Sequence, residues 1–435
     1  MRALLVLAIA MSPFVVFAAC NAGNTNTKFS DDDDGVGATG NPTGTGAQGA
    51  GSTGTGGDMG FDAGNDDGGL PPVDCESGPD EDKDGDGWTV AQGDCNDCDP
   101  NVNPNAVEVI AVPDADGGVP PAADENCNGQ IDEAPTTCDS NIALAVPDPL
   151  DGARAIELCK MSTGPKDWGV VGAAWVLPDG SAANGSAKFH LGHGALTGFG
   201  PNVHVQAGSK MLALSSGTAR QPTDTGYSDV GGYDKGYTCG SPQGFPKESP
   251  ACPGVTTGQP HDGIALEVTI RPPSNAKGFS FDFDFYTYEW PGYICSKYND
   301  IFVALLSPIP QGQTDGNISF DSQGNPVTVN NAFLDVCGCA GSGGPPCSAG
   351  GKSFPCSLGD SQLTGTGFQD MFGTDHGATG WLFTQAPIVG DTIVMRWGIY
   401  DSGDGVLDST VLIDNWKWIA SPGTQVGTGH VPTPR

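Results

Sequence analysis

The stretch Phe279-Ser280-Phe281-Asp282-Phe283-Asp284-Phe285 alternates strictly between an aromatic and a small polar side chain. Successive side chains of a β-strand point to opposite faces of its sheet, so the four phenylalanines share one face and are expected in a core. Short alternating runs separated by Gly, Pro and Asn surround this stretch, and the clearest are predicted as strands over 264–270, 279–285, 301–306, 392–400 and 410–418. The sequence therefore predicts a mainly β fold, an antiparallel β-sandwich of jelly-roll-like type, over residues 140–420.

The opposite face of the same strand carries an acidic and aromatic stripe. Continued with the same parity, the stripe comprises Asp282, Asp284, Tyr286, Tyr288 and Trp290. Aromatic faces stack on sugar rings and carboxylates bond hydroxyl groups, so the stripe predicts an exposed ligand-binding platform. The alternative is a β-bulge near Tyr286 that turns the aromatic side chains inward.

The N-terminal segment has the layout of a bacterial lipoprotein signal. A charged start, an apolar stretch and two alanines precede Cys20, although Phe17 stands where leucine is usual. We expect a cleaved export segment over 1–19, lipidation at Cys20 and a location in the cell envelope, as an outer-membrane lipoprotein or at the cell surface. Because no second long apolar segment follows, membrane attachment is expected through this lipid only, and plain secretion is the alternative.

Composition divides the remaining chain into segments. Residues 20–72 are rich in Gly, Thr, Asn and Asp with almost no bulky apolar side chain, which predicts a flexible tether, and 421–435 is predicted as a flexible tail. The run 149–160 has the apolar spacing of one helix. Half of the 52 acidic residues lie between 21 and 140. Such a segment repels nucleic acid and suits divalent cations.

An acidic module is predicted over 75–134. Asp82, Asp84 and Asp86 place carboxylates at alternate positions ahead of Gly87, which is the front half of a calcium loop, with the Trp88 carbonyl as a further ligand. The twelfth position of the loop is Gly93 instead of Glu. The missing bidentate ligand is therefore expected from the carboxylates that follow, Asp94, Asp97 and Asp99.

A second half-loop repeats this theme further along the chain. Its oxygen ligands are predicted as Asp124, Asn126, Asn128 and Asp132. Cys95 and Cys127 are placed to link the two halves by a disulfide, and oxygen-only ligands favour calcium as the bound metal. A disordered acidic linker is the alternative interpretation.

The ordered spacing of these motifs resembles a known family. Asp82-x-Asp84-x-Asp86-Gly87, Gly93-Asp94-Cys95-Asn96-Asp97 and Asn126-Cys127-Asn128-Gly129 resemble the MopE-type metal-binding repeat. The chain departs from that pattern at Cys98 and in an enlarged stretch over 112–123. The resemblance covers about 60 residues and implies that the module binds metal.

The remaining cysteines lie mostly in close pairs. Cys337, Cys339, Cys347 and Cys356 crowd one Gly- and Pro-rich loop, where disulfides are favoured over a zinc site because the chain is expected outside the cytoplasm. Cys239 and Cys252 are expected to bridge a second loop. With Cys20 set aside, an odd number of cysteines leaves one thiol over.

The large domain also resembles a family. Trp168-Gly169-Val170-Val171, Gly198-Phe199-Gly200-Pro201-Asn202-Val203, Tyr298-Asn299-Asp300 and Asp401-Ser402-Gly403-Asp404 are similar to the choice-of-anchor L domain. The resemblance spans most of 140–420 and implies a surface location and a β-fold. In the same region Asp401, Asp404 and Asp408 lie between two predicted strands. They are candidates for a second calcium site, although Asp and Gly also simply form hairpin turns.

Motifs for catalysis are absent from the sequence. It contains no Gly-x-Ser-x-Gly elbow and no complete phosphate loop. The sequence favours a non-enzymatic, lipid-anchored surface protein whose sandwich binds an extracellular ligand, a glycan or another surface protein. A secreted hydrolase of glycans or protein and a structural surface spacer are the alternatives.

We predict that replacing Cys20 by serine releases the protein from membranes, because serine lacks the thiol that carries the lipid. Fractionation of cells into membrane and soluble parts measures the effect. Wild-type protein found wholly in the soluble fraction, with its N-terminus cut elsewhere, would contradict the prediction.

Overall fold

The structure, a computed structural model, describes residues 76–110, 122–183, 185–330, 333–339, 345–369, 376–432 and 434–435. The predicted export segment (1–19), the tether (20–72) and Cys20 lie outside the described residues.

The described residues form fifteen strands, one α-helix and three short 3₁₀ helices. The strands are β1 (Gly169–Val176), β2 (His193–Leu196), β3 (Met211–Ser215), β4 (Pro260–Arg271), β5 (Gly278–Thr287), β6 (Ile301–Ser307), β7 (Val327–Thr328), β8 (Val336–Cys337), β9 (Cys347–Ala349), β10 (Lys352–Phe354), β11 (Gly377–Ala378), β12 (Leu382–Pro387), β13 (Ile393–Ser402), β14 (Ser409–Ile419) and β15 (Gly427–His430). The helices are α1 (Pro149–Arg154) and the 3₁₀ turns Val90–Gln92, Phe189–Gly192 and Ser361–Leu363.

Two antiparallel sheets form a β-sandwich, which confirms the predicted fold class. One sheet has five strands in the order β1-β4-β13-β6-β7. The other has eight, with the path β15-β12-β5-β14-β3-β2 and with β11 and β8 added beside β5. The chain crosses from one sheet to the other between β4 and β5, β5 and β6, β12 and β13, and β13 and β14, as in jelly-roll-like sandwiches. The five strongest predicted strands correspond to β4, β5, β6, β13 and β14.

The main core lies between the two sheets. All four β5 phenylalanines are 0% exposed, as their alternation predicts. Phe281 meets Trp397 of β13 edge to face, with ring centroids 5.6 Å apart, and Phe283 meets Phe302 of β6 at 5.0 Å. Leu266 of β4 belongs to the same apolar cluster. These contacts fix the two sheets face to face.

The other face of β5 is also buried, so the predicted exposed platform is wrong. Tyr286 is 0% and Trp290 2% exposed, and Tyr288 is half-buried. No bulge lies near Tyr286, because β5 pairs with β14 without a break from Thr287 to Asp282, and the irregularity between these strands falls between Asp414 and Lys417. Loops instead cover this face of the sheet, and Tyr286 packs edge to face on Phe199 at 5.0 Å. Trp290 meets Phe354 in a third apolar cluster.

Five disulfides join described cysteines. The pairs are Cys95–Cys127, Cys138–Cys159, Cys252–Cys295, Cys337–Cys356 and Cys339–Cys347. The predicted link between the two halves of the module and the disulfides of the Gly- and Pro-rich loop are confirmed. The Sγ atoms of Cys337, Cys347 and Cys356 lie within 4.8 Å of one another, but as members of disulfides they are not thiolate ligands for zinc.

The predicted pairing of Cys239 with Cys252 is wrong. Cys252 bonds to Cys295, which approaches it from the segment after β5, and Cys239 is a buried free thiol beside β4. Cys239 and Cys252 are close in sequence, which suggested a local loop. The fold instead places Cys295 beside Cys252.

Two further expectations are corrected by the structure. The predicted helix over 149–160 ends at Arg154, because Glu157 adopts a positive φ of 69° and the following chain turns into the core. The predicted flexible tail contains β15, which pairs with β12 and extends the larger sheet. No helix within the described ranges combines the length and apolar character needed to cross a membrane.

We predict that Trp290→Ala lowers the free energy of unfolding by about 3–5 kcal/mol, because it empties a buried aromatic site. Tyr293→Ala is the matched control from the same segment; its side chain is 39% exposed and its loss should cost less than about 1 kcal/mol. Urea denaturation measures both. An unchanged stability for Trp290→Ala would contradict this prediction and support the interpretation of Trp290 as part of an exposed platform.

Candidate metal sites

The front half-loop brings Asp82, Asp84 and Asp86 together. One carboxylate oxygen of each lies within 4.8 Å of the others. Asp82 accepts hydrogen bonds from the backbone N–H groups of Gly85, at 2.8 Å, and Gly87, at 3.1 Å. Both glycines have positive φ values, 79° and 93°, which the sharp turn requires. The spacing seen in the sequence thus produces the predicted convergence of oxygens.

A second group adds the following acidic residues. Oxygens of Asp84, Asp94 and Asp97 lie within 4.8 Å of one another, with Asp94 and Asp97 buried. Asp84 Oδ2 and Asp94 Oδ2 are buried and have no hydrogen-bond partner within the described residues. Asp84 belongs to both groups, so the carboxylates form one continuous acidic cluster, which we call the loop site (Asp82, Asp84, Asp86, Asp94 and Asp97).

The electrostatics of the loop site favour a cation. Burial raises the pKa of Asp94, and the nearby carboxylates of Asp86, Asp84 and Asp97 raise it further, against a hydrogen bond from the Asn96 N–H. Burial also raises the pKa of Asp86. The raised pKa values show that negative charge is disfavoured here unless a positive charge compensates it.

One of the predicted ligands is placed differently. Asp99 lies outside both groups, because its Oδ1 accepts hydrogen bonds from the backbone and side-chain N–H groups of Asn101. The Trp88 N–H donates to Asp86 Oδ1 at 2.7 Å, which holds its backbone at the loop, and the Trp88 carbonyl as a ligand stays a prediction.

The second half-loop forms a separate acidic group. Here the convergent oxygens belong to Glu108, Glu125 and Asp132, within 4.8 Å of one another. Of the predicted ligands only Asp132 is among them. Asp124 instead accepts from the backbone N–H groups of Asn128 and Gly129 and so shapes the turn.

The amides of the second half-loop also have structural roles. Asn126 Nδ2 donates to Glu133 Oε1 at 2.9 Å, and Asn126 Oδ1 accepts from the Asn128 N–H at 3.1 Å. Glu108 and Glu125 were missed as ligands, although Glu108 follows the first half-loop closely and Glu125 adjoins Asp124. They are brought together by non-local hydrogen bonds, from the Val109 N–H to Glu125 Oε2 at 3.0 Å and from the Asn126 N–H to Glu108 Oε1 at 3.1 Å, which the spacing in the sequence does not show.

The predicted site of Asp401, Asp404 and Asp408 does not form as such. Asp404 is half-buried and its Oδ1 accepts from the Val406 N–H at 3.3 Å, as in a turn. Asp408 is buried, but it is not part of the acidic group around Asp401. Asp401 groups instead with Glu289 and Asp300, which come from distant parts of the sequence.

The two acids of β5 have internal partners. Asp282 Oδ2 accepts from Asn415 Nδ2 at 2.6 Å. Asp284 accepts from the Tyr286 hydroxyl at 2.9 Å and from the Thr379 hydroxyl at 3.2 Å. Both acids are buried, so they stabilise the interior and do not face a ligand on an open surface.

Neither a scan against protein-family models nor a search of curated proteins gave a match for this chain. The chemistry of these sites is therefore argued from their geometry.

We predict that Asp284→Asn changes the pH dependence of stability. Burial raises the pKa of Asp284 from 3.8 to about 7, so the folded state binds this proton more tightly than the unfolded chain and wild type loses stability as pH rises towards 7. An amide stays neutral, and the two hydroxyls can accept hydrogen bonds from it. Relative to wild type, the free energy of unfolding of the variant should rise by roughly 2–3 kcal/mol between pH 5 and 8.

Denaturation of both proteins across this pH range measures the difference. Parallel stability profiles for variant and wild type would contradict the prediction.

Proposed function

We propose that this chain is an exported, lipid-anchored cell-surface protein in which a calcium-binding module is docked on a β-sandwich that binds an extracellular ligand. The loop site is the observation that carries the proposal. Carboxylate oxygens of Asp84 and Asp94 are buried without donors, and they converge on those of their neighbours.

Calcium is the cation that suits this arrangement. The ligands are all oxygen atoms, held on turns that can adjust, and calcium accepts six to eight such ligands in flexible geometry. The Glu108, Glu125 and Asp132 group offers the same chemistry. Burial raises the pKa values of Glu108 and Glu125. A divalent ion at each group would compensate charges that otherwise repel.

The disulfides support export. Five pairs among the described cysteines are typical of proteins that fold in an oxidising compartment. Export with a lipid at Cys20 places the protein on a cell envelope, where the membrane is contacted only through the lipid. The charge of −34 disfavours nucleic acid as a partner, so a glycan or another surface protein is the expected ligand class.

Hydrogen bonds join the module to the sandwich at two places. Asn275, between β4 and β5, accepts from the Val107 N–H at 3.0 Å and donates to the Val107 carbonyl at 2.8 Å. Lys166 Nζ donates to the Gly87 carbonyl at 2.7 Å, directly at the calcium loop. The sandwich therefore contacts the loop that would hold the ion.

We predict that Asp84→Asn, made in the full chain, weakens calcium binding at the loop site by roughly tenfold or more, because one carboxylate serves both groups. Isothermal titration measures the binding, and the calcium-dependent rise in melting temperature should shrink in parallel. Asp80→Asn is the matched control, since Asp80 is exposed and lies outside the acidic groups but carries the same charge.

Two outcomes would contradict the module assignment. One is wild-type protein that binds no calcium. The other is an equal loss of affinity in Asp80→Asn and Asp84→Asn, which would show that only the general negative charge of the module matters.

A further inference from the structure

Three carboxylates meet inside the sandwich where strand ends converge. Glu289 follows β5, Asp300 directly precedes β6, and Asp401 is the penultimate residue of β13. One oxygen of each lies within 4.8 Å of the others. The side chains are 1%, 0% and 0% exposed, so the group is sealed from solvent.

Hydrogen bonds hold these side chains in place but satisfy only part of their oxygens. Glu289 Oε2 accepts from the Asp300 N–H at 2.7 Å, and Asp300 Oδ1 accepts from the Ser402 N–H at 3.3 Å. Asp300 Oδ2 and both oxygens of Asp401 are buried with no donor in hydrogen-bonding geometry among the described residues, and the side chains of Ser409 and Asp401 lie near enough to Asp300 to lower its pKa. Buried carboxylate oxygens without donors are costly, so their convergence calls for a ligand that accepts their electron pairs.

Two further buried residues, one adjoining the group in sequence and one acting on Asp401 electrostatically, carry oxygen atoms without donors. Asn299 is 2% exposed, adjoins Asp300 in sequence, and its Oδ1 has no partner within the described part of the chain. Asp408 is 0% exposed, and neither of its oxygens has one. The region is thus rich in unsatisfied acceptors, which is the composition of a cation site.

The local charges are almost all negative. Burial first, and then Asp300, raises the pKa values of Glu289 and Asp401 well above their usual range, and burial raises that of Asp300 to about 7. Asp404 and Asp408 add further negative charge. Lys235 is a buried cation whose positive charge interacts with Asp401. Its Nζ donates to the Ser215 carbonyl, and its charge interacts more strongly with Asp262 and Asp408 than with Asp401.

We propose that Glu289, Asp300 and Asp401 bind one calcium ion inside the sandwich. The donor set is oxygen-only and carries up to three negative charges, which fits calcium and disfavours softer metals. The ion ties the ends of β5, β6 and β13 together. This site is separate from the module and does not depend on the module binding calcium.

Sharing of protons among the three carboxyl groups is the competing explanation. It would also relieve the repulsion, but it would give no response to calcium. The experiment must therefore distinguish a metal from protons and the sandwich from the module.

The test uses the full chain with both module groups disabled by Asp84→Asn, Asp94→Asn and Glu125→Gln. After treatment with a chelator and readdition of calcium, native mass spectrometry counts bound ions and thermal denaturation gives the melting temperature. We expect this parent to retain one calcium ion per chain and a calcium-dependent rise in melting temperature. Adding Asp401→Asn should abolish both responses.

Two additional variants make the test decisive. Glu289→Gln keeps an acceptor for the Asp300 N–H but removes one negative charge, so it should also lose the ion. It keeps the proposal testable if Asp401→Asn does not fold. Asp284→Asn neutralises a buried acid whose oxygens already have donors and should retain one ion and the full melting shift. A parent that binds no calcium, or Asp401→Asn and Glu289→Gln variants that still bind one ion, would overturn the proposal.

Discussion

Burial of β5 on both faces is the constraint on which the rest of the structure depends. Its four phenylalanines pack against the five-stranded sheet, where Trp397 and Phe302 receive them. Tyr286 packs on the opposite face under loops that include Phe199. A strand enclosed in this way cannot leave its acidic side chains in water, so each must find a donor or a cation. The same requirement applies to Asp300 beside β6 and Asp401 in β13, which are also buried.

The interior meets this requirement in two different ways. Asp284 has two hydroxyl donors, and Asp414 accepts from the Gln206 N–H, so these acids are compensated by hydrogen bonds. Asp401 has none among the described residues and faces two other carboxylates. The contrast is informative because burial is the same in both cases. It is the lack of donors, more than the raised pKa values, that distinguishes a candidate ion site from a buried acid with a structural role.

Surface turns and strand ends make different kinds of acidic groups. In the loop site, the carboxylates lie within residues 82–97, and backbone N–H groups of tight turns help to position them, as with Asp82 and Gly85. In the sandwich, Glu289, Asp300 and Asp401 are brought together by the pairing of whole strands. A group held by local turns can adjust to an ion, whereas a group held by strands is fixed in advance. The first suits a calcium-responsive loop and the second a structural ion.

The sequence alone determined the sandwich, its five main strands, the phenylalanine core and the convergence of Asp82, Asp84 and Asp86, because alternation and turn residues act over a few positions. Tertiary structure decided the rest. Loops of the folded chain cover Tyr286 and Trp290, and Cys252 forms its disulfide with the distant Cys295. The fold also places Glu108 near Glu125 and Asp300 near Asp401. These outcomes depend on which distant segments pack together, and a local pattern shows which side chains share a face of a strand but not what covers that face.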